Sequence, residues 1–368
     1  MDSFLIYGAY GYTGRLIARE AVARGGSPVV AGRDGRAVAA QADELGVVGR
    51  TVPVESAALD AVIEPFDAVL NCAGPFAETA GPLADACLET GTDYLDITGE
   101  FAVFERLRQR DLAAREAGCT LLPGVGFDVV PSDCLAAFLG EQLPDADRLA
   151  LGIKSDGGLS RGTARTLVDQ LGTGGVVRRN GRLIQVPTAF RSREIDFGDG
   201  PEHAVTIPWG DVVTAAHSTG IDSVAVYAAV PAWASRALSA VDSLAWLLER
   251  EPVERALKRL VDARIEGPDE RQLATGSAVV WGEVVDEATG RRACARLRTP
   301  DPYALTAEAA VSAAQRVLEG GQVPAGFQTP ASAFGSEFVL ELSGTERERV
   351  DAPADAGEMN RPVAASDN

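Results

Sequence analysis

The stretch Gly8-Ala9-Tyr10-Gly11-Tyr12-Thr13-Gly14, directly after the apolar run Phe4-Leu5-Ile6-Tyr7, constrains this chain more than any other. It joins a strand, a glycine turn and a helix start without a spacer, and Leu16, Ile17, Ala21 and Val22 continue with helical spacing. Such a turn needs glycine three times. Gly8 lets the chain leave the strand tightly, Gly11 lets the backbone approach a pyrophosphate, and Gly14 lets the helix pack on the strand. The first N–H groups of the helix and the positive end of its dipole then face the phosphates. Spacing alone also fits a glycine turn with no ligand. Strand and helix context together select a dinucleotide site, with Tyr10, Tyr12 and Thr13 beside the three glycines.

The second strand, Pro28 to Gly32, ends at Arg33 and Asp34, roughly twenty residues after the glycine turn, where such a fold reads the adenosine ribose. An acid there binds the two hydroxyls of NAD, whereas an arginine pairs with the 2′-phosphate of NADP. Arg33 comes first, and Asp34 is placed to cap the helix Arg36 to Leu45. NADP is therefore expected, with NAD as the alternative and a solvated surface charge as the plain reading of Arg33.

Strands follow at Arg50 to Val54, Asp67 to Cys72, Asp93 to Ile97 and Cys119 to Leu122, separated by helical stretches such as Gly81 to Thr90 and Phe101 to Ala117. The alternation predicts an α/β fold, a Rossmann-type doubly wound parallel sheet whose ligand lies beyond the carboxyl ends of the strands. Those ends read Asn71-Cys72-Ala73-Gly74-Pro75-Phe76, Tyr94-Leu95-Asp96-Ile97-Thr98-Gly99-Glu100 and Pro123-Gly124-Val125-Gly126-Phe127-Asp128. Tyr94, Asp96 and Asp128 are the candidates to polarise or protonate a substrate. Asp128 fits equally as the cap of a helix that begins near Pro131.

Other mechanisms are harder to place. A short-chain dehydrogenase needs Tyr and Lys four apart, but Ala150 and Glu254 stand four before Lys154 and Lys258, the only lysines. His203 and His217 are the only histidines, and neither lies in a metal or triad motif. The five cysteines are dispersed with no C-x-x-C and no zinc spacing, as a reducing cytosol permits. No basic region with an apolar signal core is visible before the first strand, so a cytoplasmic protein is expected. The net charge of −19 argues against nucleic acid, which wants a basic face.

These motifs together resemble the saccharopine dehydrogenase-like oxidoreductases, a group that includes saccharopine reductases and the trans-acting enoyl reductases of complex-lipid assembly. The matching stretches are G-A-Y-G-Y-T-G-R, A-G-R-D, N-C-A-G-P-F, D-Y-L-D-I-T-G-E, P-G-V-G-F-D-V-V-P-S-D, S-R-G-T-A-R-T and T-P-A-S-A-F-G. The resemblance implies a nicotinamide-dependent oxidoreductase, with Gly8, Gly11 and Gly14 at the pyrophosphate and Arg33 at the adenosine ribose. It also implies Asn71 to Phe76, with Asn71, Ala73, Gly74 and Pro75 as the contacts, near the cofactor's middle and nicotinamide end, and it is closer to the enoyl-reductase branch. The expected function is thus NADP-dependent reduction of an enoyl or related lipid-like substrate. A saccharopine-type amino-acid reductase is the alternative enzyme; it calls for arginines aimed at carboxylates, for which only Arg161 and Arg165 offer themselves. A non-catalytic dinucleotide sensor is the alternative outside enzymes.

After residue 133 the pattern changes to candidate strands at Arg148 to Lys154, Val176 to Val186, Arg193 to Phe197, His203 to Ile207 and Asp222 to Val230, with a helix at Gly162 to Leu171. Asn180-Gly181 is a type I′ hairpin signal, and a second hairpin turns about Thr289-Gly290. A second α+β domain on a largely antiparallel sheet is expected over 134–303, after a nucleotide domain over 1–133. As in the resembling family, the helix Ala304 to Leu318 would return to the nucleotide domain, which it completes over 304–344. From Thr345 to residue 368 the charged, Pro/Ala-rich chain reads as a disordered tail. The segment Ala232 to Leu260 is too polar for a membrane span. It fits a helical pair that covers the sheet or makes a homodimer, and also a peripheral membrane contact or lid over a lipid substrate.

Overall fold

Phe4, Leu5 and Ile6 have no solvent exposure in the computed structural model, and neither do Val69, Leu70 and Leu95 on neighbouring strands. Strands this apolar on both sides need cover on both faces, which parallel sheets with crossover helices supply. The structure describes residues 4–157, 160, 162, 164–165, 168, 174–231, 251–264, 267–320 and 323–351. They fall into two units, the first holding the described residues up to Cys134 with Pro302–Ser343. The second holds those of Leu135–Asp301 with those from Gly344.

In the first unit the elements run β1 (Phe4–Tyr7), α1 (Tyr12–Ala23), β2 (Val29–Gly32), α2 (Gly35–Leu45), β3 (Gly49–Thr51), α3 (Leu59–Ile63), β4 (Ala68–Asn71) and α4 (Phe76–Thr90). They continue as β5 (Asp93–Asp96), α5 (Phe101–Arg108), α6 (Asp111–Ala117) and β6 (Thr120–Leu122). A late strand, Gly326–Phe327, adds to β6, so the seven-stranded parallel sheet reads 326–327, β6, β5, β4, β1, β2, β3. The order reverses between β1 and β4, the switch point at which such sheets bind ligands. The register brings Tyr7 beside Asn71 and Asn71 beside Asp96, so three strands end level there. The helix Pro302–Leu318 belongs to this unit: Tyr303 packs edge-on against Tyr12 at 5.1 Å, and the Arg24 guanidinium donates to Ser312 Oγ at 2.9 Å.

α7 (Val130–Gln142) leads into β7 (Arg148–Ser155), β8 (Gly175–Arg179), β9 (Arg182–Val186), β10 (Ser192–Asp196), β11 (Pro201–Thr206), β12 (Ser223–Ala229), β13 (Ser277–Val285) and β14 (Arg292–Pro300). With Glu346–Val350 they make a nine-stranded sheet in which, among the described strands, only β12 and β7 run parallel. Asn180 and Gly181 have φ of 48° and 76° between the paired ends Arg179 and Arg182, the two positive values a type I′ turn requires. A Cβ on Gly282 would lie 2.6 Å from Leu139 Cδ1, so α7 seats closely on one sheet face. On the other, β10 curls back over the strands: a Cβ on Gly152 would lie 2.8 Å from Ile195 Cδ1. Arg193 reaches Trp281 at 4.6 Å and Glu283 at 3.1 Å.

The chain expected to lose structure at Thr345 instead forms the strand Glu346–Val350 against β14. Its charges alternate between the two faces: Glu348 meets Arg296 at 3.5 Å, while Arg347 lies 3.6 Å over the Phe138 ring on the opposite face. The helix expected over Gly162 to Leu171 lies mostly outside the described residues, as do Arg161 and positions 232–250 of the segment expected to be a helical pair. Glu251–Arg264 is helical. The short helix Asp211–Thr219 carries no sequence expectation above. Among the described residues no helix is long and apolar enough to cross a membrane.

Candidate functional site

The three glycines of the first turn do different work. Gly8 has φ +78°, and a Cβ there would lie 2.7 Å from the backbone nitrogen of Ala73, so the β1 turn and the β4 turn touch through it. A Cβ on Gly14 would lie 2.4 Å from the Gly8 carbonyl oxygen and 2.9 Å from Ala9 Cα, which only a bare helix start can accommodate. Gly11 is the exception. Its Cβ would meet only the Gly8 carbonyl oxygen, at 3.3 Å, and the rest of its surroundings stand open. Gly11 is also the residue before α1 and offers no side-chain cap, so the first N–H groups of α1 face that opening. Donors, dipole and space coincide, and these residues fit a dinucleotide pyrophosphate.

At the tip of β2 the Tyr10 ring packs on Gly32, where a Cβ would lie 2.4 Å from the ring. Arg33 follows, exposed. Asp34 Oδ1 accepts from the N–H groups of Arg36 at 3.0 Å and Ala37 at 3.1 Å, the expected cap of α2. Thus the one acid at this strand end is already engaged.

Beyond β4 and β5 lies a sealed polar network. Asn71 Nδ2 donates to Thr79 Oγ1 at 3.2 Å and to the Tyr94 hydroxyl at 3.1 Å, while its Oδ1 accepts from Ala73 N at 2.9 Å. The Tyr94 hydroxyl donates to Asp96 Oδ2 at 2.8 Å, and Asp96 Oδ1 accepts from Thr98 N and Gly124 N, both at 3.0 Å. One chain of side chains therefore ties the turns after β4, β5 and β6 together. Asn71, Tyr94 and Asp96 all have no exposure. Tyr94 and Asp96, expected to meet a substrate, lie within this network, and neither side chain reaches the surface. The cause is the strand alternation, which turns both inward beneath the turns. Burial and the adjacent Asp96 hold the Tyr94 phenol well above its ordinary range.

Asp128 is only partly buried, with its carboxylate against Gly99, where a Cβ would lie 2.7 Å from Oδ2. Thr79, Thr98 and Glu100 complete the arrangement and were not singled out from the sequence as site residues. Glu100 Oε1 accepts from Phe76 N at 3.0 Å and its Oε2 from Ala77 N at 3.2 Å, across the start of α4. The Gly74-Pro75 peptide before that start is cis. The T-P-A-S-A-F-G stretch starts the short helix Pro330–Phe334, whose Ala331 N–H donates to buried Asp133 at 2.8 Å. Arg165 is exposed. In the second unit His203 Nδ1 faces Glu194 at 3.2 Å, and His217 is exposed.

Burial pushes the carboxyls of Asp96 and Asp128 up to about 6. For Asp96 three hydrogen bonds oppose the shift without cancelling it. A carboxyl whose folded pKa lies above its unfolded value contributes stability that is full below about pH 4 and lost as pH rises through 6. The loss is about 3 kcal/mol per group at most. Asp128→Asn should therefore gain on the parent between about pH 4 and 6.5 in urea denaturation and level off above that. A constant difference across that range would show that Asp128 titrates as an ordinary surface carboxylate.

Residues 4–122 match the family model described as the saccharopine dehydrogenase NADP binding domain. A trans-acting enoyl reductase of Mycobacterium bovis is 30% identical over 221 residues, 54% of this chain and 52% of the relative. A saccharopine dehydrogenase-like oxidoreductase of Mus musculus is 30% identical over 161 residues, 38% of this chain and 37% of the relative. The chain thus spans about half the length, or less, of these curated relatives. Among solved structures, the apo, histidine-tagged saccharopine dehydrogenase (L-Glu forming) of Saccharomyces cerevisiae shares the fold, with a TM-score of 0.65 at 12% identity over 95% of this chain and 100% of that one. The glycine turn and the parallel sheet agree with the match over residues 4–122 to a saccharopine dehydrogenase NADP binding domain, and the chain is similar to saccharopine dehydrogenase-like oxidoreductases.

Proposed function

We propose that this protein is an NADP-dependent reductase acting on an enoyl or related lipid-like acyl substrate. The observation that carries the reading is the opening at Gly11, a place that α1 N–H groups face and no side chain fills. When bound, the nicotinamide cofactor supplies the hydride. The chain's own residues bind and orient: α1 and Gly11 hold the pyrophosphate, and the Asn71-tied turn with Ala73, Gly74 and Pro75 borders the nicotinamide end. The names of the mycobacterial relatives support the enoyl substrate. A reducing cytoplasm is the compartment that suits it, since all five cysteines are buried and none forms a disulfide.

NADP is favoured over NAD because Asp34 is spent on capping α2 while Arg33 is exposed at the ribose position. The guanidinium there would fork onto the 2′-phosphate. Arg33→Ala should weaken NADPH by about 1.5–3 kcal/mol and leave NADH almost unchanged, so that the two dissociation constants converge. Titration of both cofactors, followed by NADPH oxidation with a series of enoyl thioesters, tests the whole reading. Equal loss of both cofactors would show that Arg33 only holds the loop. Binding of NADPH without turnover of any thioester or ketone would favour a sensor.

A further inference from the structure

The turns that end β4, β5, β6 and the strand Gly326–Phe327 span residues 72–76, 97–100, 123–128 and 328–330. On the NADP-reductase reading, on which this inference rests, they border the nicotinamide. Their sequences hold Glu100 and Asp128 but no lysine, arginine or histidine. The first turn of α4 adds another acid, Glu78.

The start of a fifteen-residue helix such as α4 is the natural seat for a substrate carboxylate or phosphate. Here a carboxylate from the chain itself sits in it. Glu100 spans the Phe76 and Ala77 N–H groups with one oxygen each. Glu100 is in turn held in place, because its own N–H donates to Thr98 Oγ1 at 3.1 Å and the Thr98 N–H is fixed by buried Asp96. The first basic residue after this turn, Arg106, donates to the carbonyl oxygens of Ala77 at 3.3 Å and Ala102 at 3.2 Å.

We propose that Glu100 is a specificity residue: by filling the anion seat of α4 with its own charge, it bars anionic groups from the nicotinamide end. The part of the substrate that approaches there is uncharged, as an acyl thioester or enone is, and is not an amino or keto dicarboxylate.

The test uses the full chain loaded with NADP⁺, titrated calorimetrically with acetate and then with 2-oxoglutarate. The parent should bind neither in the millimolar range. Glu100→Ala frees two N–H donors and removes the charge, and should bind acetate at least roughly tenfold more tightly than the parent. Glu100→Gln keeps an acceptor for one of the donors and loses the charge; it should stay folded and also gain acetate, by less. It carries the test if the alanine variant does not fold. Millimolar binding of 2-oxoglutarate by the parent would overturn the proposal, as would a Glu100→Gln protein that is folded and no more receptive to acetate. Failure of the parent to bind NADP⁺ at all would be seen first, and would sink the reductase reading together with the role of Glu100.

Discussion

Gly8→Ala is expected to abolish NADPH binding and unfold the protein at markedly lower urea, whereas Gly11→Val should abolish binding and leave the unfolding midpoint nearly where it was. The two glycines stand three residues apart in one turn, yet the costs differ in kind. At Gly8 the backbone has φ +78°, where a side chain costs about 1–2 kcal/mol. The added methyl would also press on the Ala73 backbone at 2.7 Å, and backbone cannot swing aside. Overpacking of that sort costs about 1–3 kcal/mol more, for a total of about 2–5 kcal/mol. At Gly11 the only near atom is the Gly8 carbonyl oxygen at 3.3 Å, so a side chain projects into the opening. It takes the ligand's space and disturbs little else. Urea denaturation and NADPH titration of both variants check the contrast. A Gly11→Val protein that binds NADPH like the parent would remove the basis for the pyrophosphate site.

Asp96→Ala is expected to cost about 3–5 kcal/mol, more than any other substitution at the strand ends. Two effects oppose one another. Removing the carboxylate relieves the burial of a charge, worth about 3 kcal/mol at neutral pH for a group whose pKa is pushed to about 6. It also strands three buried donors, the Tyr94 hydroxyl and the Thr98 and Gly124 N–H groups, at about 1–3 kcal/mol each, and leaves a void. The stranded donors win. Tyr94→Phe keeps the ring and two of the three bonds to Asp96, so it should lose only about 1–2 kcal/mol. Amide hydrogen exchange at Thr98 and Gly124 distinguishes the two: both amides should lose protection in Asp96→Ala and keep it in Tyr94→Phe. An Asp96→Ala protein as stable as the parent would mean that the network holds nothing together.

The parallel sheet was legible because its strands are short apolar runs punctuated by glycine turns, and the local rule and the global fold agree there. The hairpin at Asn180-Gly181 was legible for the same reason, since its turn chemistry is local. The second sheet's curl was not. It depends on Gly152 making room for Ile195 and on Arg193 reaching Trp281, contacts between distant strands with no local signature. At the site, Asp34 as a cap followed from its position before a helix, and the structure shows that bond. Tyr94 and Asp96 were singled out as polar residues at a strand end, but sequence alternation does not say which of two faces is sealed by turns arriving from other strands. Glu100 is the clearest case of a hidden role. Its partners, Phe76 and Ala77, lie more than twenty residues earlier, and nothing in the spacing links them. Likewise the strand Glu346–Val350 looked featureless because Arg347 and Glu348 meet residues far back in the chain, Phe138 and Arg296.

The helix Pro302–Leu318 and the strand Gly326–Phe327 complete a sheet whose other six strands are spelled out before residue 123. A ribosome therefore delivers the beginning of the nucleotide unit long before its end. At about 5–20 residues per second, the intervening residues 135–301 take on the order of ten to thirty seconds to appear. Throughout that interval β6 is paired with β5 on one side only, its outer edge is open, and the side of α1 that later receives Tyr303 is bare. The nascent chain thus passes through a stage with an open sheet edge, the kind of surface that trigger-type holdases cover or that pairs with a neighbouring chain on the same message. Its yield should depend on how translation is paced between these two halves of one sheet.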